Sequence, residues 1–361
     1  MLSGDKNKPA GPRKPREHLL RTINNVTFVD VKTRILYVLA SDSEDFYAEQ
    51  LYVSLLSLRK NSPGAAVTVL TDQITQSGLR GRGKVGERLL EAADNWVVTP
   101  LDPSFTKEYR SRLLKTGMRQ YVDGDFLFID TDTLIVRPLD GIDACAEDLA
   151  LCLDHHCSLQ ENPEKKSHID HGKLLGEDLS ESEFYYNSGV ILAKDTPQVR
   201  AVFSEWQRNY IQGRQKGIRF DQPSLAVTLK KASCPVGQLD GKWNCQLPYG
   251  VRHMGEAIIF HYFAGSFGKG SRPLFLLHNP PVLLQIRNSE DLPAEVTAVT
   301  EDFFKGISRI SYLADESDMI FMTTRRYWDL RKGFVPGKFS FLEFLLKVRA
   351  RLPFAGKRKA R

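Results

Sequence analysis

Residues 126–136 read Phe-Leu-Phe-Ile-Asp-Thr-Asp-Thr-Leu-Ile-Val, so Asp130 and Asp132 interrupt one of the most strongly β-forming runs in the chain. Aspartate is depleted in strands. In an extended segment residues i and i+2 share a face, so the two acids are expected to converge on one side. Like charges held close and desolvated cost energy unless a cation or several hydrogen-bond donors meet them. A divalent metal site meets that requirement, with hard oxygen ligands suited to Mg2+ or Mn2+ and open positions left for phosphate oxygens. The bland alternative is a solvated strand end.

A chain of 361 residues with 42% hydrophobic content can bury a sizeable core as one large domain or two modest ones. Its longest apolar runs, such as Ala257-Ile258-Ile259-Phe260, fall far short of the ~20 residues of a membrane span. The segment Met1 to Arg21 has Pro, Gly and basic residues but no apolar stretch resembling a signal peptide, so a cytoplasmic protein is expected. Cys145, Cys152, Cys157, Cys234 and Cys245, odd in number and scattered, fit reduced thiols better than a disulfide framework.

The net charge of +6 is unevenly spread. Residues 1–22 carry +4 and residues 338–361 carry +7, leaving the body at −5. That body has no basic stripe interleaved with aromatics, so nucleic acid is not an expected partner. The N-terminal tail, 1–22, is expected to be disordered. At the other end Phe339, Phe341, Leu342, Phe344, Leu345 and Leu346 precede Lys347, Arg349, Arg351 and a terminal basic cluster. Such a basic amphipathic segment can lie on an anionic bilayer, each charge adding about 1 kcal/mol, or can pack as a core helix with a solvated tail.

Between these ends, elements alternate. Strands are expected at 34–40, 66–71, 96–98, 149–154, 186–193 and 256–263, besides the Asp-bearing run. Helices are expected at about 45–59, 109–121, 197–212 and 222–231. This order predicts an α/β fold with a mostly parallel sheet, whose ligands gather beyond the carboxyl ends of strands. Ala40-Ser41-Asp42, Asp130-Thr131-Asp132 and His261 all lie at such ends. The polar stretch 158–182 is long for a plain connection and is expected to be a mobile loop over the site. Beyond about Pro280 the pattern turns helical.

Four separated pieces then line up: Ala40 to Tyr47, Ser111 to Thr116 with Phe126 to Asp132, Tyr186 to Val190 with Phe220-Asp221-Gln222, and Ile258 to Gly265. In this order and spacing they resemble the nucleotide-sugar-dependent glycosyltransferases of the GT-A fold. The likeness is to the retaining group that includes glycogenin and the bacterial lipopolysaccharide galactosyl- and glucosyltransferases, glycosyltransferase family 8, and it covers about residues 33–270. It implies a catalytic domain over 23–280, a helical C-terminal extension over 281–337 and a basic tail over 338–361.

The resemblance implies roles residue by residue. Asp130, Asp132 and His261 match the family's Mn2+ ligands, the metal bridging both phosphates of a sugar nucleotide, with Mg2+ as the other candidate. Otherwise His261 is a satisfied core histidine. Ala40 and Asp42 match the loop that holds base and ribose, although two extra residues before Tyr47 blur the register of Asp42. Arg112 and Lys115, one helical turn apart, match basic residues that meet the diphosphate or sugar, or else are solvated helix charges. Thr131 lies between the metal acids, and Asn187 with Gly189 matches the turn beside the donor sugar. Asp221 and Gln222 match the acid and amide lining the sugar's β-face, the competing reading of Asp221 being an N-cap. Gly265 and Lys269 stand in the closing loop, where the family's Pro-Trp is missing and the spacing is shifted, so Lys269 is only a candidate for the diphosphate lysine.

Implied partners are a nucleotide-sugar donor, most simply a UDP-sugar, and a glycan or lipid-linked hydroxyl acceptor. Two other classes fit part of the pattern: a haloacid-dehalogenase-like phosphatase with Asp130 as nucleophile and Asp132 as acid, and a non-catalytic sugar-nucleotide-binding module. The phosphatase reading lacks a later acidic pair, and the module reading leaves Asp221-Gln222 without work. Asp154-His155-His156-Cys157, with His168 and His171, fits no zinc spacing and reads as a polar loop near the acceptor mouth. For the tail, deletion of 338–361 is expected to abolish binding to anionic vesicles in a flotation assay while turnover on a soluble acceptor persists. Equal flotation of both forms, or an insoluble truncation, contradicts the membrane contact.

Overall fold

The computed structural model describes residues 22–23, 26–27, 31–250, 252–263, 275–289 and 291–303. In chain order the elements are β1 (Thr22–Ile23), β2 (Val26–Thr27), β3 (Arg34–Leu39), α1 (Tyr47–Asn61), β4 (Val67–Asp72), α2 (Gln73–Arg80) and α3 (Lys84–Ala92). There follow β5 (Asn95–Thr99), α4 (Lys107–Thr116), α5 (Met118–Tyr121), β6 (Phe126–Ile129), β7 (Thr133–Ile135), β8 (Leu149–Leu153), α6 (Lys165–Leu174) and β9 (Tyr186–Ala193). The described chain continues with α7 (Pro197–Gln215), α8 (Gln222–Lys231), β10 (Val236–Gln238), β11 (Cys245–Gln246), β12 (Ile259–His261), α9 (Pro280–Asn288) and α10 (Ala294–Glu301).

The mostly parallel sheet flanked by helices that the sequence implies is what forms. Its order is β10-β8-β9-β6-β3-β4-β5, and β9 alone runs against its neighbours. Period-two alternation serves two buried faces at once. Ile35, Tyr37 and Leu39 of β3, with Leu127 and Ile129 of β6, enter one core with Leu51, Leu55 and Leu58 of α1. Leu36, Phe126 and Phe128 enter the other with Leu114, Met118, Phe203 and Trp206 from α4, α5 and α7. Thr106 and Thr196 cap α4 and α7 by accepting from the backbone N–H of Tyr109 and Val199, as side-chain N-caps do.

The expected helix over 109–121 divides at Gly117. A Cβ there would lie 2.4 Å from Gln207 Nε2, and that amide donates to the Leu113 carbonyl, tying α7 to α4. The stretch 158–182 is not an unstructured loop, for it contains α6, which packs against α8. Its polar sequence hides the helical period because His168 and Gly172 are its buried residues.

The Asp-bearing run also differs from expectation. It is not one strand: β6 ends at Ile129 and β7 begins at Thr133 in a second sheet of order β11-β12-β7. The two acids occupy the crossing between sheets, so their convergence comes from a turn rather than from strand alternation. The Asp130 N–H extends the ladder to Gly189 O, and Thr133 Oγ1 closes back on Asp130 O. Within the described residues α9 and α10 join the α1 core through Val282, Leu283, Ile286, Val296 and Val299, and no helix is long and apolar enough to cross a membrane. The tails 1–21 and 338–361, with Gly265 and Lys269, lie outside the described residues.

Candidate active site

From β3 the chain proceeds outward through β4 and β5 and then returns to place β6 on the other side of β3. Such a switch point opens a crevice at the carboxyl ends of the two strands. A cleft of about 710 Å3 lies there, within the range of small-molecule sites. Ala40, Arg112, Lys115, Asp130, Thr131, Asp132, Asn187, Gly189, Asp221, Gln222 and His261 all line it. Ten of these come from five different elements or their ends; the topology assembles what the sequence leaves scattered.

On one wall, antiparallel pairing of β12 with β7 sets His261 opposite Thr133, and the Tyr262 N–H donates to Asp132 O. His261 Nε2 stands 3.3 Å from Asp132 Oδ1 and 3.9 Å from Asp130 Oδ2. One ligand atom from each of the three residues lies within 4.8 Å of the others. A divalent cation taking oxygen and nitrogen ligands at about 2.1 Å can span that gap, and the donor set suits one. Burial, with Asp132 beside it, pushes the Asp130 carboxyl up against the lowering pull of Lys115. For Asp132 burial also pushes upward, but hydrogen bonding and charge from His261 outweigh it and hold the group below its usual range.

On the opposite wall, Lys115 Nζ donates to both Asp130 oxygens at 3.0 and 2.9 Å and lies 3.6 Å from Asp221 Oδ2. Arg112 Nε meets Asp221 Oδ1 at 3.1 Å, and Ser188 Oγ donates to Oδ2 at 2.9 Å. Asp221 opens α8, yet its side chain makes no capping bond, so the capping reading fails: its carboxylate points into the cleft and is claimed by two cations. Burial pushes its pKa up, but Arg112, Lys115 and Ser188 outweigh that and bring it to about 2. Arg112 and Lys115 are accordingly not merely solvated helix charges.

Gly189 has a role beyond backbone approach to a ligand. A Cβ there would lie 2.2 Å from His261 Cε1 and 2.6 Å from Nδ1, so the imidazole itself requires a glycine. Asp42 is not among the cleft-lining residues. Its Oδ1 accepts from the N–H groups of Glu44 and Asp45 and its Oδ2 meets Lys107 at 3.0 Å, so it shapes the loop while Ala40 faces the cleft. That loop is clamped from beneath: Arg82 donates to Ser41 Oγ and to the carbonyls of Asp42 and Asp45, and also pairs with Glu49, which is fully buried. Arg287 of α9 reaches the same Glu49 and the Ser43 carbonyl.

Two residues escape sequence reasoning. Asn244, fully buried, places Oδ1 2.9 Å from His261 Nδ1; nothing in Trp243-Asn244-Cys245-Gln246 marks it. Asp154, read as part of a polar loop, is buried and accepts from Asn187 Nδ2 and Asn162 Nδ2. Burial opposes its charge, but His168, His155 and Asn187 hold its pKa below the usual range. A buried, multiply bonded carboxylate is a different object from a solvated loop acid. Among the described residues the sole grouping of metal-ligating side chains found is Asp130, Asp132 and His261, so Cys157 belongs to no such cluster.

No protein-family model matches the chain, and no curated protein sequence matches it. Among solved structures it is similar to the galactosyltransferase LgtC in complex with donor and acceptor sugar analogues, at 16% identity over 73% of this chain and 98% of that one, TM-score 0.47. It is also similar to the apo bifunctional glycosyltransferase WbbM, at 16% identity over 79% of this chain and 51% of that one, TM-score 0.46. Mouse xyloside xylosyltransferase 1 shares 12% identity over 64% of this chain and 97% of that one, TM-score 0.42. All three are glycosyltransferases by description.

The pairing of Asp221 with Arg112 and Lys115 is testable by pH. Because its folded-state pKa is depressed to about 2, its contribution is present above about pH 4 and is lost as pH falls through 2. Asp221→Asn is expected to cost about 2 kcal/mol at neutral pH in urea unfolding, with the gap to wild type narrowing from pH 4 downward. A gap independent of pH contradicts the assignment.

Proposed function

We propose that this protein is a glycosyltransferase that moves a sugar from a nucleotide-diphosphate sugar, a UDP-sugar in the simplest reading, to a hydroxyl of a glycan or lipid-linked saccharide, with retention of anomeric configuration. One observation carries the reading: an Asp-Asp-His cation site and the pair Arg112 and Lys115 face each other across a switch-point cleft whose far side presents Asp221-Gln222. Two carboxylates and an imidazole suit Mn2+ better than Mg2+. Held by Asp130, Asp132 and His261, that ion would act as a Lewis acid toward the departing diphosphate.

The remaining work belongs to the chain. Ala40 and the clamped loop after β3 would seat the base and ribose. Arg112 and Lys115 would meet negative charge on the diphosphate, the form of transition-state stabilisation that preorganised cations supply. Lys115 would then exchange part of its hold on Asp130 for a phosphate oxygen. Asn187 and Gly189 would border the donor sugar, Asp221 would accept hydrogen bonds from its hydroxyls, and the Gln222 amide oxygen would face developing positive charge at the anomeric carbon. With Asp221 engaged by two cations and Ser188, no free carboxylate nucleophile is offered, which favours front-face substitution in which a diphosphate oxygen takes the acceptor proton. Gly265 and Lys269 would belong to the loop that closes on the diphosphate. The phosphatase reading needs a free nucleophilic Asp130, whereas both its oxygens are bound by Lys115. A cytoplasmic location, with the 338–361 tail on a membrane face, completes the proposal.

Incubation with Mn2+ and a panel of sugar nucleotides is expected to release nucleoside diphosphate, slowly without an acceptor. Asp130→Ala and Asp132→Ala should each reduce turnover by at least about 100-fold, roughly 3 kcal/mol, with the fold retained. NMR of the product should show the donor's anomer preserved. Full activity in excess chelator, phosphate release from a phosphomonoester, or an inverted anomer would each contradict the corresponding part of the reading.

A further inference from the structure

We infer that Asp154, remote from the cleft's cation ligands, acts as a positioning residue that fixes which nitrogen of His261 faces Asp130 and Asp132, through the hydrogen-bond relay Asp154–Asn187–Asn244–His261. The inference rests on the cation site proposed above for its purpose, but its geometry stands alone.

Each link has a determined direction. Asp154 Oδ1 lies 3.0 Å from the Asn187 amide, and a carboxylate can only accept, so the atom of Asn187 facing it is Nδ2. Independently, the backbone N–H of Gly189 points at the other atom of Asn187 at 2.9 Å, and a backbone N–H can only donate, so that atom is Oδ1. The same Oδ1 meets the Asn244 amide at 2.9 Å and cannot donate to it, so Asn244 presents Nδ2 there. Asn244 is thereby left with Oδ1 toward His261 Nδ1, at 2.9 Å. An oxygen in that position requires a proton on Nδ1. Nδ1 is thus the ring's fixed donor, and Nε2 is left to face Asp132 and Asp130, as a metal-binding imidazole oriented from behind requires.

The frame around Asp154 is built to hold it. Its Oδ2 takes Asn162 Nδ2 at 3.3 Å and lies 3.6 Å from His168 Nε2. The two residues that follow, His155 and His156, have φ of 53° and 55°, a left-handed conformation uncommon outside glycine, asparagine and aspartate. Gln246 secures that turn by accepting from the His155 N–H and donating to Leu153 O. Gln246 pairs in β11 with His261 of β12 and sits two residues after Asn244, so one short segment binds both ends of the relay into register.

The test uses the full-length chain labelled with 15N-histidine, the His261 signals assigned by difference against His261→Gln. Wild-type protein is expected to show a slowly exchanging Nδ1–H on His261, and to bind Mn2+ as read by electron paramagnetic resonance of the free ion. In Asp154→Ala, where water able to donate or accept replaces the carboxylate, that signal should be lost or averaged and the Mn2+ Kd should rise by about 10-fold or more. Asp154→Asn retains an acceptor oxygen for Asn187 and should restore both. Asn244→Leu, which cuts the last link without touching a buried charge, should reproduce the Asp154→Ala result. Retention of the Nδ1–H signal and of the wild-type Mn2+ Kd in either folded disruptive variant would overturn the relay. Wild-type protein with the Nδ1–H signal but no Mn2+ binding would remove the cation site and leave the relay's direction supported.

Discussion

Two carboxylates and an imidazole held within 4.8 Å of one another at the end of a buried sheet are the constraint around which the rest of the molecule is arranged. Such a grouping is unfavourable unless opposite charge and fixed dipoles surround it. Lys115 supplies the charge, reaching both oxygens of Asp130 from α4. The second sheet supplies the imidazole, because β12 pairs with β7 as soon as the chain leaves Asp132. Glycine at 189 leaves room for the ring. Strand order, helix placement and a single glycine therefore answer one electrostatic problem.

A second arrangement holds the other rim. Glu49 is fully buried in α1, and two guanidiniums, Arg82 and Arg287, converge on it while also donating to carbonyls of the loop after β3. Removing one member of a buried ion network typically costs about 3–5 kcal/mol because the others are left without compensation. The loop's shape is thus held by the same ions that fasten α9 to the body. Described residues well beyond the sheet, in α9 and α10, accordingly belong to the core that supports the cleft.

What could be read from the sequence follows from range. Alternation over 34–39 and 186–193, the acids within an apolar run, and the exact limits of α8 at 222–231 are local signals, and each appears in the structure. The break between β6 and β7 was not legible, because Thr133 to Ile135 favour a strand whichever sheet receives them. Nor were Asn244 and the buried state of Asp154, since an amide or an acid in a polar stretch acquires its meaning only when partners 57 and 33 residues away arrive. Capping was the local reading of Asp221, and it lost to Arg112, Lys115 and Ser188, long-range partners of greater electrostatic weight. The roles assigned to Gly265, Lys269 and the basic tail concern residues outside those described.

The central claim is that Asp130, Asp132 and His261 form one cation site facing Arg112, Lys115 and Asp221. Anomalous diffraction at the manganese edge, from crystals grown with Mn2+ and a nucleoside diphosphate, tests it most directly. The account predicts a single strong peak ligated by both carboxylates and by His261 Nε2, with Nδ1 still on Asn244 and the diphosphate beside Arg112 and Lys115. A cleft without that peak at saturating Mn2+, with Lys115 still holding both oxygens of Asp130, would contradict it.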